Sequence, residues 1–151
     1  MQKNEQLVLF NSQDGNVTID VTVENDTVWL SINQLTQLFD RDKSVISRHL
    51  KNIFAEQELN EESTVAFFAT VQIEGGRRVD RQIEYYNLDA ILSVGYRVNS
   101  KQATNFRRWA NSILKDYLLK GYALNKNIID TKTKEYQNFL WKTHENSVLL
   151  Y

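Results

Sequence analysis

The chain contains no cysteine, which excludes disulfide bridges and thiolate metal sites and fits a reducing compartment. Histidine is nearly as scarce: His49 and His144 are the two present, and neither has another ligand at metal-binding spacing. No glycine-rich phosphate loop and no GxSxG elbow occurs. Asp40-Arg41-Asp42-Lys43-Ser44 imitates the opening of a calcium loop, but Val45 stands where that loop needs glycine and Lys51 where it needs glutamate. His49 reads as a partly buried helix residue. These absences predict a protein that is not an enzyme, with no catalytic residues, metal or cofactor to name. A site assembled from dispersed carboxylates is the one catalytic arrangement left open.

Long apolar runs are missing as well. No stretch approaches the roughly 18 residues a membrane span requires, and MQKNEQLVLF lacks the basic start, apolar stretch and cleavage site of a leader. A soluble, cytoplasmic protein with no membrane partner is expected. The net charge of -1 argues against a strongly basic nucleic-acid binder, but the charges are unevenly placed. Arg41, Lys43, Arg48 and Lys51 outnumber Asp40 and Asp42 between Ser31 and Ile53, and cations again outnumber acids from Arg77 to Lys120. The acids gather in Glu56, Glu58, Glu61 and Glu62 and in the first thirty residues. At 151 residues and 42% hydrophobic, the chain suits one domain over 1–124 and a C-terminal extension over 125–151.

What is present centres on LSINQLTQLFDRDKSVISRHLKNIF, from Leu30 to Phe54. Ser31 and Gln34 form a capping box, with Leu30 and Leu35 as its hydrophobic staple, so a helix begins at Ile32. Leu35, Leu38 and Phe39 give it one apolar face. The polar Asp40-Arg41-Asp42-Lys43 stops it, since aspartate tolerates a left-handed turn conformation. Ser44 or Asp42 then caps a second helix whose Ile46, Leu50 and Ile53 face inward. Lys43, Ser44, Ser47, Arg48 and Lys51 are left outside. Small polar residues near a helix N-terminus suit base edges and cations suit phosphates, so this reads as a helix-turn-helix for double-stranded DNA. The same pattern also describes any amphipathic helix pair joined by a short polar turn.

The flanking segments read as strands and helices. Val17, Ile19, Val21 and Val23 alternate with polar residues, Asn25-Asp26 turns the chain, and Val28-Trp29-Leu30 returns, which is a β-hairpin; Leu7 to Phe10 adds a short strand. After the acidic link AEQELNEEST, the residues Val65, Phe67, Ala69, Val71 and Ile73 alternate strictly. A three-residue loop, Glu74-Gly75-Gly76, sets Val71 opposite Val79, Phe67 opposite Ile83 and Val65 opposite Tyr85, keeping apolar residues together. A two-residue loop would set Val71 opposite Asp80. Arg77 and Arg78 fall at the tip, where a wing would reach a phosphate or minor groove; a plain solvated hairpin is the alternative. Asn87 caps a third helix that Gly95 ends or interrupts. Ser100 caps a fourth, with Ala103, Phe106, Ala110, Ile113 and Tyr117 inward, Trp109, Leu114 and Leu118 widening the stripe, and Lys120-Gly121 as its stop. Phe139 to Trp141 and Val148 to Leu150 predict a further helix packing on a missing segment or on another subunit. The expected fold is α+β, a winged helix-turn-helix-like domain with two β-hairpins and about four helices.

VWLSINQLTQLFDRDKSVISRHLKNIF, followed by EYYNLDAILSVGYRVNSKQATNFRRWANSILKDYLLKGYALN, resembles the N-terminal part of the RhuM family, proteins associated with bacterial virulence islands and mobile elements. The second block is more loosely similar to the N-terminal domain of phage antirepressors, in Phe106, Trp109 and Gly121-Tyr122. The resemblance spans roughly residues 5 to 127. It implies DNA binding and a regulatory role and brings no enzymatic activity. It also implies longer chains, so a fragment or shortened member is expected. A homodimer and an antirepressor-like protein partner remain open beside DNA.

Overall fold

The computed structural model describes residues 6–120. In chain order they form β1 (Gln6–Asn11), β2 (Thr18–Glu24), β3 (Thr27–Ser31), α1 (Ile32–Phe39), α2 (Lys43–Ala55), α3 (Glu61–Thr64), β4 (Val65–Glu74), β5 (Arg77–Asn87), α4 (Leu88–Arg97) and α5 (Gln102–Lys120). The chain is therefore α+β, with antiparallel strand pairing. Its described residues fall into two compact units, 6–28 with 106–120 and Trp29–Asn105. The expected stop at Gly121 and the extension over 125–151 lie outside the described residues.

In the first unit β1 and β2 pair from Gln6↔Val23 to Asn11↔Thr18. Ser12 closes the loop between them. Its N–H donates to the Val17 carbonyl at 2.9 Å, and its Oγ accepts from the Val17 N–H at 3.1 Å while donating to Asp14. These bonds account for a loop that carries no strand yet holds its register. Ile19, Val21 and Val23 are buried, as their spacing predicts, and Thr22 and Glu24 on the other face are buried too. Phe10 meets the rings of Phe106 and Trp109 edge-on, each at 5.2 Å. From α5, Phe106, Ala110 and Ile113 are buried, but Leu118, expected on the same stripe, is exposed. β2 ends in Asn25 and Asp26, both at positive φ (54° and 63°), the conformation that a two-residue type I′ turn demands and that Asn and Asp tolerate best.

In the second unit Trp29, Leu30 and Ser31 of β3 pair with Asn87, Tyr86 and Tyr85 of β5, and β5 pairs along its length with β4. The β4–β5 register differs from the expected one. The turn is the two-residue Gly75-Gly76, with Glu74 opposite Arg77, Val71 opposite Asp80, Phe67 opposite Glu84 and Val65 opposite Tyr86. Both glycines take positive φ (59° and 76°), which completes a type I′ turn that no three-residue loop would need. The expectation failed because it assumed that the alternating row of β4 was covered. Arg81 forms an exposed ion pair with Glu74, its Nε 2.9 Å from Oε2.

Two further expectations are corrected. The acidic link contains a one-turn helix, α3, started by Asn60, whose side chain accepts from the Ser63 N–H; the helices are thus five among the described residues. Gly95 does not interrupt the helix begun at Asn87. α4 runs through it to Arg97 and ends beside Asn99, which takes φ +55°. A Cβ on Gly95 would lie 2.6 Å from Ala103 Cβ and 2.9 Å from Phe39 Cζ, so the glycine answers to close packing and not to chain reversal.

Candidate nucleic-acid interface

The helix pair starts as its sequence dictates. Ser31 Oγ accepts from the Gln34 N–H at 3.3 Å and Gln34 Oε1 accepts from the Ser31 N–H at 3.0 Å, a complete capping box. α1 ends at Asp40, whose backbone is left-handed (φ 53°, ψ 54°), and buries Leu35, Leu38 and Phe39. Asp42 occupies the N-cap position of α2 with extended backbone, but its side chain makes no capping hydrogen bond; Ser44 lies inside the helix. Ile46, Leu50 and Ile53 are the buried residues of α2.

That stripe determines what α2 shows to solvent. At about 100° per residue, Lys43, Ser44, Ser47, Arg48 and Lys51 fall within an arc of roughly 140°. Lys43, Ser44, Arg48 and Lys51 are exposed, while Ser47, at the side nearer Leu50, is half-buried. Arg77 and Arg78, also exposed, open β5 directly after the Gly75-Gly76 turn. Among the described residues the ion pairs are Arg81–Glu74, Arg97–Glu56 and Arg97–Glu58, so none of these five cations is neutralised by one. No group of three or more potential metal ligands occurs among the described residues, and no described helix is long and apolar enough to cross a membrane.

Two arginines that sequence reasoning did not single out hold the helix pair in place. Arg41 Nη1 donates to the carbonyls of Phe39 (3.0 Å) and Asp40 (3.1 Å), and Nη2 to that of Val98 (2.9 Å). It ties the turn between α1 and α2 to the end of α4, and counts as a structural cation and not as part of the outward face. Arg97 Nη2 meets Glu56 at 2.8 Å and Glu58 at 2.7 Å, fixing the far end of α2 to α4. Glu58 is held below its usual range first by the hydrogen bond from Arg97 and then by one from Ser93. Partners 57 and about 40 residues apart leave no local signal in the sequence. His49 is half-buried on α2 as expected; its Nδ1 has no hydrogen-bond partner among the described residues. Burial, then the charges of Arg48 and Arg97, hold its pKa below the usual 6.5.

A sequence profile of the virulence protein RhuM family matches residues 63–146, more than half of the chain. The chain belongs to this family. The match takes in β4, β5, α4 and α5 and begins after α2, so the α1–α2 pair lies outside the matched residues. No curated protein and no solved structure shows significant similarity to the chain.

Proposed function

We propose that the protein is a DNA-binding regulator whose α1–α2 pair works as a helix-turn-helix, with α2 entering the major groove. The observation that carries this reading is the outward face of α2. Its exposed cations flank exposed Ser44 and half-buried Ser47, and the buried stripe and the Arg41 and Arg97 contacts fix the orientation of that face. Ser44 and Ser47 would meet base edges, and Lys43, Arg48 and Lys51 phosphates. Arg77 and Arg78, at the tip of β4–β5, would make the hairpin a wing that adds backbone contacts and no sequence preference.

The test is a salt titration of binding to duplex DNA. Log affinity is expected to fall linearly with log salt, with a slope near -0.9 per neutralised phosphate. Replacing Arg77 and Arg78 together by alanine should flatten that slope by up to about two contacts' worth and weaken all duplexes alike. An unaltered slope reduces the hairpin to scaffold. No binding to any duplex by the native protein overturns the DNA reading. It would favour instead an antirepressor-like protein-interaction module, a reading supported by the exposed apolar row on β4.

A further inference from the structure

β4 is built against the usual protections of a strand edge. Among the described residues it pairs with β5 alone, so from Phe67 onward its other edge carries free backbone groups. β3 reaches β5 only at Tyr85–Asn87, which leaves the hairpin two-stranded from Phe67 and Glu84 to the tip, roughly 25 Å. Edges of this kind normally carry lysines, prolines or bulges. Here Val65 to Ile73 is nine residues without a charge or a proline, VAFFATVQI. Phe67 (62% exposed), Val71 (52%) and Ile73 (72%) stand on one face with the exposed Ala69 between them.

Register links the free edge to this apolar row. Glu74 and Arg77 close the two-residue turn, so their pair, and every second pair back along the ladder, exchanges hydrogen bonds within the hairpin. The amides of Phe67, Ala69, Val71 and Ile73 therefore point to the open edge, while that of Val65 donates to the Glu61 carbonyl at the end of α3. A strand added there must match an apolar residue at each alternate position.

We propose that this strand is β4 of a second copy, antiparallel and related by a two-fold axis through Ala69. Val65 then faces Ile73 of the other copy, Phe67 faces Val71, and Ala69 faces Ala69, so the uncharged run is matched along its whole length. The ends are complementary as well. The pairing brings the tip of one hairpin, with Arg77 and Arg78, beside α3 of the other, with Glu61 and Glu62, and none of the four is in an ion pair among the described residues. A two-fold contact uses the same edge on both chains and closes, which consumes the edge instead of propagating it into a fibre. The pairing does not rest on DNA binding, although it draws the tip arginines toward carboxylates and away from phosphates.

The full chain tests this by sedimentation equilibrium and by cross-linking. The native protein should sediment at twice the chain mass, and Val71→Lys, with an unchanged circular dichroism spectrum, at the mass of one chain. Because the chain has no cysteine, Ala69→Cys gives a single thiol at the axis, where a spacing near 5.5 Å suits a disulfide. Mild oxidation should convert it to a covalent dimer. Ile73→Cys, with its two copies roughly 26 Å apart, should remain uncoupled. A native protein at one-chain mass up to about 100 μM, ample for the micromolar dissociation constants of ordinary specific dimers, overturns the proposal. So does a Val71→Lys variant that stays dimeric, or Ile73→Cys coupling as readily as Ala69→Cys.

Discussion

β2 and β4 each carry a row of apolar residues at every second position and bring it to opposite ends. Ile19, Val21 and Val23 of β2 are at most 2% exposed, whereas Phe67, Val71 and Ile73 of β4 are all more than half exposed. Alternation determines which side chains share a face; whether that face is covered depends on what packs against it. On β4 the side chain that is buried on the other face is Phe68, edge-on to Trp29 at 5.6 Å and Tyr85 at 5.1 Å. Burying a side chain of this size stabilises by about 1.5 to 3 kcal/mol. The exposed row forgoes that gain three times over, a loss that the proposed pairing of two copies would in part recover.

The sharpest way to break the comparison is to make the same substitution in both strands. Val21→Lys places an unpaired ammonium at a site with no exposure and should cost more than about 4 kcal/mol, enough to unfold a marginal domain. Val71→Lys stands opposite Asp80 at an exposed site and should change the stability of the single chain by less than about 0.5 kcal/mol. Chemical denaturation at low protein concentration reads both. Equal costs would mean that β4 is covered after all.

Core truncation comes next in size. Leu50→Ala removes a buried residue from the stripe that orients α2, and Trp109→Ala removes a ring packed on Phe10 and Phe106. Each should lower stability by about 2 to 5 kcal/mol in thermal or denaturant melts, with half-buried Trp109 toward the lower end. No loss in either would mean that the helical faces are wrongly assigned.

What the sequence made legible follows the range of the interactions involved. The Ser31–Gln34 box, the left-handed Asp40, the Asn25-Asp26 turn and the Asn87 cap, whose Oδ1 accepts from the Ala90 N–H at 3.2 Å, all have their causes within four residues. Each can be read locally. Arg41 bound to Val98, Arg97 bound to Glu56 and Glu58, and Gly95 against Phe39 depend on segments brought together only by folding. The β4–β5 register is the instructive case, because Gly75-Gly76 was a local signal for the two-residue turn. A three-residue loop keeps Val71 away from Asp80, but that pairing costs little on a face open to water. The outward residues of α2 were legible from helical spacing alone, while the two arginines that hold the helix were not.

A smaller effect is expected from His49. Its folded-state pKa lies below 6.5, so the unfolded chain takes up the proton first as pH falls. Stability is then full above about pH 6.5 and declines as pH drops through that value toward the folded-state pKa. Glu58, held low by Arg97, adds its own loss further down, as pH falls from its usual 4.5 through its depressed value. His49→Gln should remove the first decline and leave the second in denaturation curves taken across pH. A His49→Gln curve identical to that of the native protein would contradict the burial of this imidazole.

The proposed role of α2 is tested most directly by selecting bound sequences from a pool of random duplexes, with the native protein and with the Arg48→Ala, Lys51→Ala double variant in parallel. The account predicts that the native protein enriches a common sequence. It also predicts that the double variant, folded as judged by its melt, binds the enriched duplex more weakly and with a salt slope shallower by up to about two phosphate contacts. No enrichment by the native protein, or an affinity and slope unchanged in the double variant, would contradict it.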